Sequence, residues 1–110
     1  MKHLQLENMK NGWFVGNFLP TVLATEQFEV AIKHYPAGSE EAWHYHAIAT
    51  EVTVVVSGHV EMCGKHFKKG DIIVLEPGEG TSFKAKTETT CTVVKIPSVA
   101  NDKFFKSKST

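Results

Sequence analysis

Two histidines separated by one residue, His44 and His46, are the side chains of this chain best suited to chemistry. Side chains two apart on a β-strand point to the same face of the sheet, so both imidazoles should project into one space. Glu51 follows shortly after, and its carboxylate can reach that space from the next strand. Two neutral imidazoles and a carboxylate suit a first-row divalent metal, so the sequence predicts a metal site at these three residues.

The elements that would position this motif are short strands. Runs of β-branched and aromatic residues alternate with Gly, Pro and acidic turns at regular spacing, which predicts an all-β sandwich or barrel. In the segment 28–34, His34 shares one face of the strand with Phe28, Val30 and Ile32. We therefore expect His34 to point inward near the end of its strand. The alternative is a histidine on the rim, bonded to backbone or water.

Size and charge limit the function classes. The 110 residues should form a single domain over 1–110, with a frayed tail over 103–110. The 12 basic and 12 acidic residues cancel, which argues against nucleic-acid binding. No apolar run reaches the roughly 20 residues of a membrane span. The N-terminus is too polar for a signal peptide, and the two cysteines cannot form a disulfide framework. We expect a cytoplasmic protein.

Five spaced residues resemble the first signature of the cupin superfamily: Gly38, five residues, His44-Tyr45-His46, four residues, Glu51, six residues and Gly58. The segment 70–78 resembles the second signature. The resemblance implies a cupin-type double-stranded β-helix, which is a jelly-roll barrel of two antiparallel sheets. It also implies that both histidines and the carboxylate face the barrel interior.

The second signature departs from the family pattern. Many cupins hold manganese, iron, nickel, copper or zinc with one more histidine from this segment, and here that position falls on Thr81. A hydroxyl is a weaker ligand than an imidazole, and His34 is a candidate replacement. Two interpretations stay open: a divalent metal of undetermined identity, or a metal-free hydrogen-bonded cluster of Glu51 with an imidazolium.

A small-molecule pocket is expected beside the three candidate ligands. Thr81 and Phe83 are two apart on a predicted strand, so both should point into the barrel. Glu79, just before them, is either a substrate contact or a solvated turn carboxylate.

Two further aromatic residues favour association of two chains. Trp43 and Tyr45 alternate with the histidines and should therefore face away from the interior. With Trp13, Phe14 and Phe18 they predict a homodimer interface. The alternative is that the N-terminal strand of the same chain covers them.

Three function classes remain open, because no motif selects a reaction. The first is binding of a small molecule inside the barrel, next to the metal. The second is an enzyme of the isomerase, epimerase or dioxygenase type acting on a sugar or small organic acid. It would be metal-dependent, or would use His46 or Glu51 as a general base. The third is a non-catalytic sensor or structural subunit.

Overall fold

The computed structural model describes residues 1–105 of the chain, mostly as short strands. One 3-10 turn, Leu6–Asn8, precedes them. The strands are β1 Trp13–Gly16, β2 Leu23–Ala24, β3 Glu29–Tyr35, β4 Glu40–His46, β5 Thr50–Ser57, β6 His59–Met62, β7 Lys65–Lys68, β8 Ile72–Leu75, β9 Gly80–Ala85, β10 Thr89–Ile96 and β11 Lys103–Phe104. No helix within residues 1–105 is long and apolar enough to span a membrane.

The strands form two sheets. One has six strands in the order β2-β1-β3-β10-β5-β8, and the other has five in the order β11-β4-β9-β6-β7. All pairs are antiparallel except β1 with β2. Residues from both sheets share one buried core, of which Val55 and Cys91 come from the six-stranded sheet and Val60 and Phe83 from the other. The prediction of an all-β fold with two antiparallel sheets is confirmed.

A β-bulge in β4 decides which side chains reach the interior. Glu41 is opposite Phe83 and His44 is opposite Thr81, so β4 takes three steps where β9 takes two. The extra residue reverses the alternation. Glu41 and His44, which regular alternation would place on opposite faces, therefore both face inward, together with His46.

The predicted orientation of His34 is wrong. The odd-numbered residues of β3 face the interior, where Ala31 is fully buried. His34 is exposed, and its ring nitrogens lie 2.8 Å from the Thr90 hydroxyl and 2.9 Å from the Glu88 carboxylate. The error arose because the even-numbered, apolar residues of this strand face outward instead.

The outer face of the six-stranded sheet is also apolar. Two cross-strand rows of four residues cover it, and we call these eight residues the outer patch: Ile32, Thr92, Val54 and Ile72 in one row, and Val30, Val94, Val52 and Val74 in the other. None of the eight is charged. Ile72 and Val74 are 64% and 50% exposed, because they lie on the edge strand β8.

The start of the segment expected to fray is a strand. Lys103 and Phe104 form β11 and pair with His46 and Tyr45 at the edge of the five-stranded sheet. Ring stacking of Phe104 on Tyr45, with centroids 5.5 Å apart, favours this pairing. The frayed-tail prediction is therefore wrong at these two residues, and its last part, 106–110, lies outside the described residues.

Candidate functional site

A cavity of about 160 Å³ lies between the two sheets. Its walls carry both charged and apolar side chains, and it opens to solvent. The residues around it are Trp13, Lys33, Tyr35, Glu41, His44, His46, Glu51, Thr53, Met62, Thr81, Phe83, Cys91, Val93, Lys95 and Lys103. A volume of this size corresponds to roughly five water molecules at about 30 Å³ each. The cavity therefore suits a small ligand.

His44 and His46 both line this cavity, and in both rings Nε2 is the nitrogen left for a ligand. Nδ1 of His44 lies 2.9 Å from the carbonyl oxygen of Ala42, and Nδ1 of His46 lies 2.9 Å from that of Asp102. A carbonyl oxygen only accepts hydrogen bonds, so each Nδ1 carries the proton. Each Nε2 is left with its lone pair, which can bind a metal or accept a proton.

His46 is held in the neutral form. Burial lowers its pKa, and the positive charge of Lys95 lowers it further. The hydrogen bond to the Asp102 carbonyl acts in the opposite direction but is the smaller effect. A neutral, oriented imidazole is the form required of a ligand or a general base.

Asp102 fixes the turn that follows His46. Its buried carboxylate accepts hydrogen bonds at 2.9–3.1 Å from the backbone N–H groups of Ala47, Ile48 and Ala49. The same residue supplies the carbonyl that orients the His46 ring. Sequence reasoning missed Asp102 because its partners lie more than 50 residues away, where no local pattern indicates them.

The chemistry of the three predicted ligands suits a divalent metal, but their arrangement does not bring them together as ligands. His44, His46 and Glu51 all line the cavity, and the two imidazole rings have centroids 5.5 Å apart. Among residues 1–105, however, no group of three or more His, Cys, Asp or Glu side chains is placed to hold a metal ion.

The predicted pocket residues divide into two pairs. Thr81 and Phe83 line the cavity, as expected from their spacing in β9. The Thr81 hydroxyl donates to the carbonyl of Ser82 at 2.6 Å. Glu79 and His34 are not among the cavity residues. Glu79 instead accepts the backbone N–H of Glu76 at 2.9 Å within an exposed turn, which is the solvated-turn alternative.

Three lysines line the cavity, and sequence reasoning singled out none of them. Lys33 comes from β3, Lys95 from β10 and Lys103 from β11. Nζ of Lys95 lies 3.4 Å from a carboxylate oxygen of Glu29, and this ion pair is largely buried. The Trp13 ring lies 4.9 Å from Nζ of Lys95 and 5.6 Å from Nζ of Lys33, so it stabilises both ammonium groups through its π-face.

Tyr35, Glu41 and Cys91 also line the cavity, and each is hydrogen-bonded or protonated. The Tyr35 hydroxyl donates to the Glu41 carboxylate at 3.1 Å. Burial is the main cause that raises the pKa of the Cys91 thiol to about 11, so the thiol is not ionised at neutral pH. Cys91 is thus an apolar part of the wall rather than a nucleophile.

Trp43 and Tyr45 are absent from the cavity walls, consistent with their alternation with the histidines. Tyr45 is buried under Phe104. Trp43 packs over Gly80, where a Cβ atom would lie 2.2 Å from the indole ring. The C-terminal segment, rather than the N-terminal strand, therefore covers part of this surface.

Solved structures identify the fold. The chain resembles a protein with a double-stranded β-helix domain from Klebsiella pneumoniae subsp. pneumoniae MGH 78578, with 26% identity, a TM-score of 0.68 and coverage of 76% of this chain and 74% of that one. It also resembles a cupin-superfamily sugar phosphate isomerase from Silicibacter pomeroyi DSS-3, with 19% identity, a TM-score of 0.61 and coverage of 76% and 69%. This chain has the cupin fold. The fold implied by the two signature segments is confirmed.

The cupin fold by itself selects no reaction. DMSP lyase DddQ from Ruegeria pomeroyi DSS-3 shares it, with a TM-score of 0.70 over 94% of this chain and 59% of that one, at only 14% identity. A lyase and an isomerase thus share one architecture, and function must be argued from the site. No protein-family model and no curated protein matches this chain.

Proposed function

We propose that this cupin binds a small organic molecule in the cavity between its sheets. The observation that carries the proposal is the composition of that cavity. Charged groups from both sheets meet apolar side chains such as Met62, Phe83 and Val93 around a volume of about 160 Å³. Small-molecule sites combine apolar walls with polar groups that fix the orientation of the ligand, and this cavity has both.

Methyl NMR during a fragment screen tests this proposal. A molecule bound in the cavity should shift the methyl signals of Met62 and Val93, which line it. Val60 is fully buried but does not line the cavity, so its methyl signals serve as the internal control. A screen whose hits all leave Met62 and Val93 unchanged contradicts the proposal.

Catalysis is the alternative, and the state of His46 favours it. A buried imidazole with a lowered pKa, Nδ1 bonded to a backbone carbonyl and Nε2 facing the cavity has the properties of a general base. Its substrate would be a sugar or a small organic acid, and the reaction an isomerisation, an epimerisation or an oxidation. His46→Gln should abolish turnover without unfolding the protein, and so should Glu51→Gln if Glu51 is the base, whereas a binding protein or sensor would form no product before or after either change.

A divalent metal on His44 and His46 is a further candidate. Its support is the pair of Nδ1–carbonyl hydrogen bonds, since metal-binding histidines usually donate their second ring N–H in this way. Glu51 would have to move towards the two rings to become the third ligand. Metal analysis of protein purified without an affinity tag tests this candidate, with His44→Ala as the control. Equal metal content in both proteins removes it.

We further propose that the protein is a homodimer. We place its interface at the outer patch and not at the aromatic residues predicted from the sequence, because Trp13 lines the cavity and Tyr45 is buried under Phe104. The patch is a broad sheet face without charges, so a second copy of the same uncharged face complements it well. Strands with continuous β-branched runs, such as residues 52–56, are usually covered on both faces. Light scattering should give the mass of two 12.2 kDa chains.

The cytoplasmic location stays a prediction, which cell fractionation tests.

A further inference from the structure

Within residues 1–105, two of the three lysines in the cavity have no carboxylate partner. Among residues 1–105, the lysines within 4.0 Å of a carboxylate are Lys84, Lys86 and Lys95. Lys33 and Lys103 are not in this group, although both line the cavity. Each instead has an aromatic ring near its ammonium group, Trp13 for Lys33 and Phe105 for Lys103, with 5.6 Å from Nζ to the ring centre in both cases.

Ammonium groups crowded into one cavity are costly to the empty protein. Burial is the largest effect on the pKa of Lys33 and lowers it; Glu41 raises it, Lys103 and Lys95 lower it, and Glu51 raises it. Burial and the two neighbouring ammonium groups thus disfavour the charged form of Lys33. A ligand anion beside Lys33 and Lys103 would relieve this cost.

The carboxylates of the cavity do not form ion pairs with Lys33 and Lys103. Glu41 and Glu51 also line the cavity, but among residues 1–105 neither lies within 4.0 Å of a lysine ammonium group. Glu41 already accepts a hydrogen bond from Tyr35. The buried Glu29 accompanies Lys95 but does not itself line the cavity.

The rest of the cavity wall fits a small apolar part of a ligand. Met62, Phe83 and Val93 supply apolar surface, and the volume of about 160 Å³ admits only a small molecule. We propose that the ligand is a small organic carboxylate, with its carboxylate bound by Lys33 and Lys103 and its apolar part against Phe83 and Met62. This inference rests on the proposed function, because it names the ligand class of the same cavity.

The test compares carboxylates with uncharged and inorganic analogues. Acetate, propionate and benzoate are titrated into the full-length protein, alongside acetamide, propionamide, benzamide and inorganic phosphate, and Met62 and Val93 methyl shifts report binding. We expect each carboxylate to bind roughly tenfold or more tightly than its amide, since hydrogen bonds to charged groups are the strong ones. Amides or phosphate binding as tightly as the carboxylates would overturn the inference while leaving the proposed function standing.

Matched lysine variants assign the carboxylate to the two residues. Lys33→Met and Lys103→Met keep the length of the side chain but remove its charge, and each should weaken carboxylate binding roughly tenfold while leaving amide binding unchanged. Lys84→Met, at an exposed lysine paired with Glu40, is the control and should bind as the original protein does. Unchanged carboxylate affinity in both cavity variants overturns the inference. If no member of the panel shifts Met62 or Val93 while other fragments do, the inference fails and the proposed function stands; the proposed function fails only if the fragment screen also leaves both signals unchanged.

Discussion

Nδ1 of His46 donates a hydrogen bond to the backbone carbonyl of Asp102, across a distance of 2.9 Å and 56 positions of sequence. The Asp102 carboxylate meanwhile holds the backbone of the turn that follows His46. One residue near the C-terminal strand thus fixes both the ring of His46 and the chain beside it. It is a positioning residue for the cavity, which explains why β11 belongs to the site.

Asp102→Ala should destabilise the protein by about 3 kcal/mol or more, because it leaves three backbone N–H groups without their acceptor. Urea unfolding measures the change. Asp71→Ala is the matched control, since its carboxylate accepts one backbone N–H in an exposed turn and should cost about 1 kcal/mol. Equal losses in the two variants would contradict the role assigned to Asp102.

Cys91 should make the protein less stable at high pH. Its pKa is raised from 9.0 to about 11, so the folded state holds the proton where the unfolded state releases it. The resulting stabilisation is complete below pH 9 and is lost as the pH rises towards about 11, with a total of about 3 kcal/mol. Urea unfolding at pH 8 and pH 10.5 should show this loss, and Cys91→Ala should reduce it.

The same burial predicts the reactivity of the two thiols. Cys63 is exposed and Cys91 is buried, so iodoacetamide at pH 8 should modify Cys63 much faster. Mass spectrometry of the peptides measures both rates. Modification of Cys91 at the rate of Cys63 would contradict the burial on which the pH prediction also depends.

Glu29→Gln should destabilise the protein by about 3 kcal/mol, because it leaves the ammonium of Lys95 without its charged partner in a largely buried position. Glu40→Gln is the matched control. It removes an ion pair of nearly the same length, 3.5 Å, whose side chains are exposed, and it should change stability by less than about 1 kcal/mol. Thermal or urea unfolding compares the two, and similar losses would show that burial does not set the value of these pairs.

The cavity residues that could be predicted from the sequence are close neighbours along the chain. His44 and His46 are two apart on one strand, as are Thr81 and Phe83, and the period of two brings each pair to one face. All four line the cavity. The spacing of the first signature then placed Glu51 beside them.

The residues that sequence missed depend on which face of a strand turns inward. β3 is apolar at its even positions, and these belong to the outer patch, while the cavity side carries Lys33. The apolar periodicity identifies the strand, but it cannot show which face of the strand points inward when both faces are partly covered. Glu41 reaches the cavity through the bulge in β4, which no alternation rule contains.

Val74→Lys should convert the proposed homodimer into a monomer. Val74 lies in the outer patch on edge strand β8, and a lysine there would place a charge in the interface facing a second copy. The side chain is already 50% exposed in the single chain, so the folded monomer should tolerate the change. Ile48→Lys is the matched control, at an aliphatic residue that is 56% exposed but lies outside the patch. Light scattering should give one chain for Val74→Lys and two for Ile48→Lys, and a dimer that survives Val74→Lys would place the interface elsewhere.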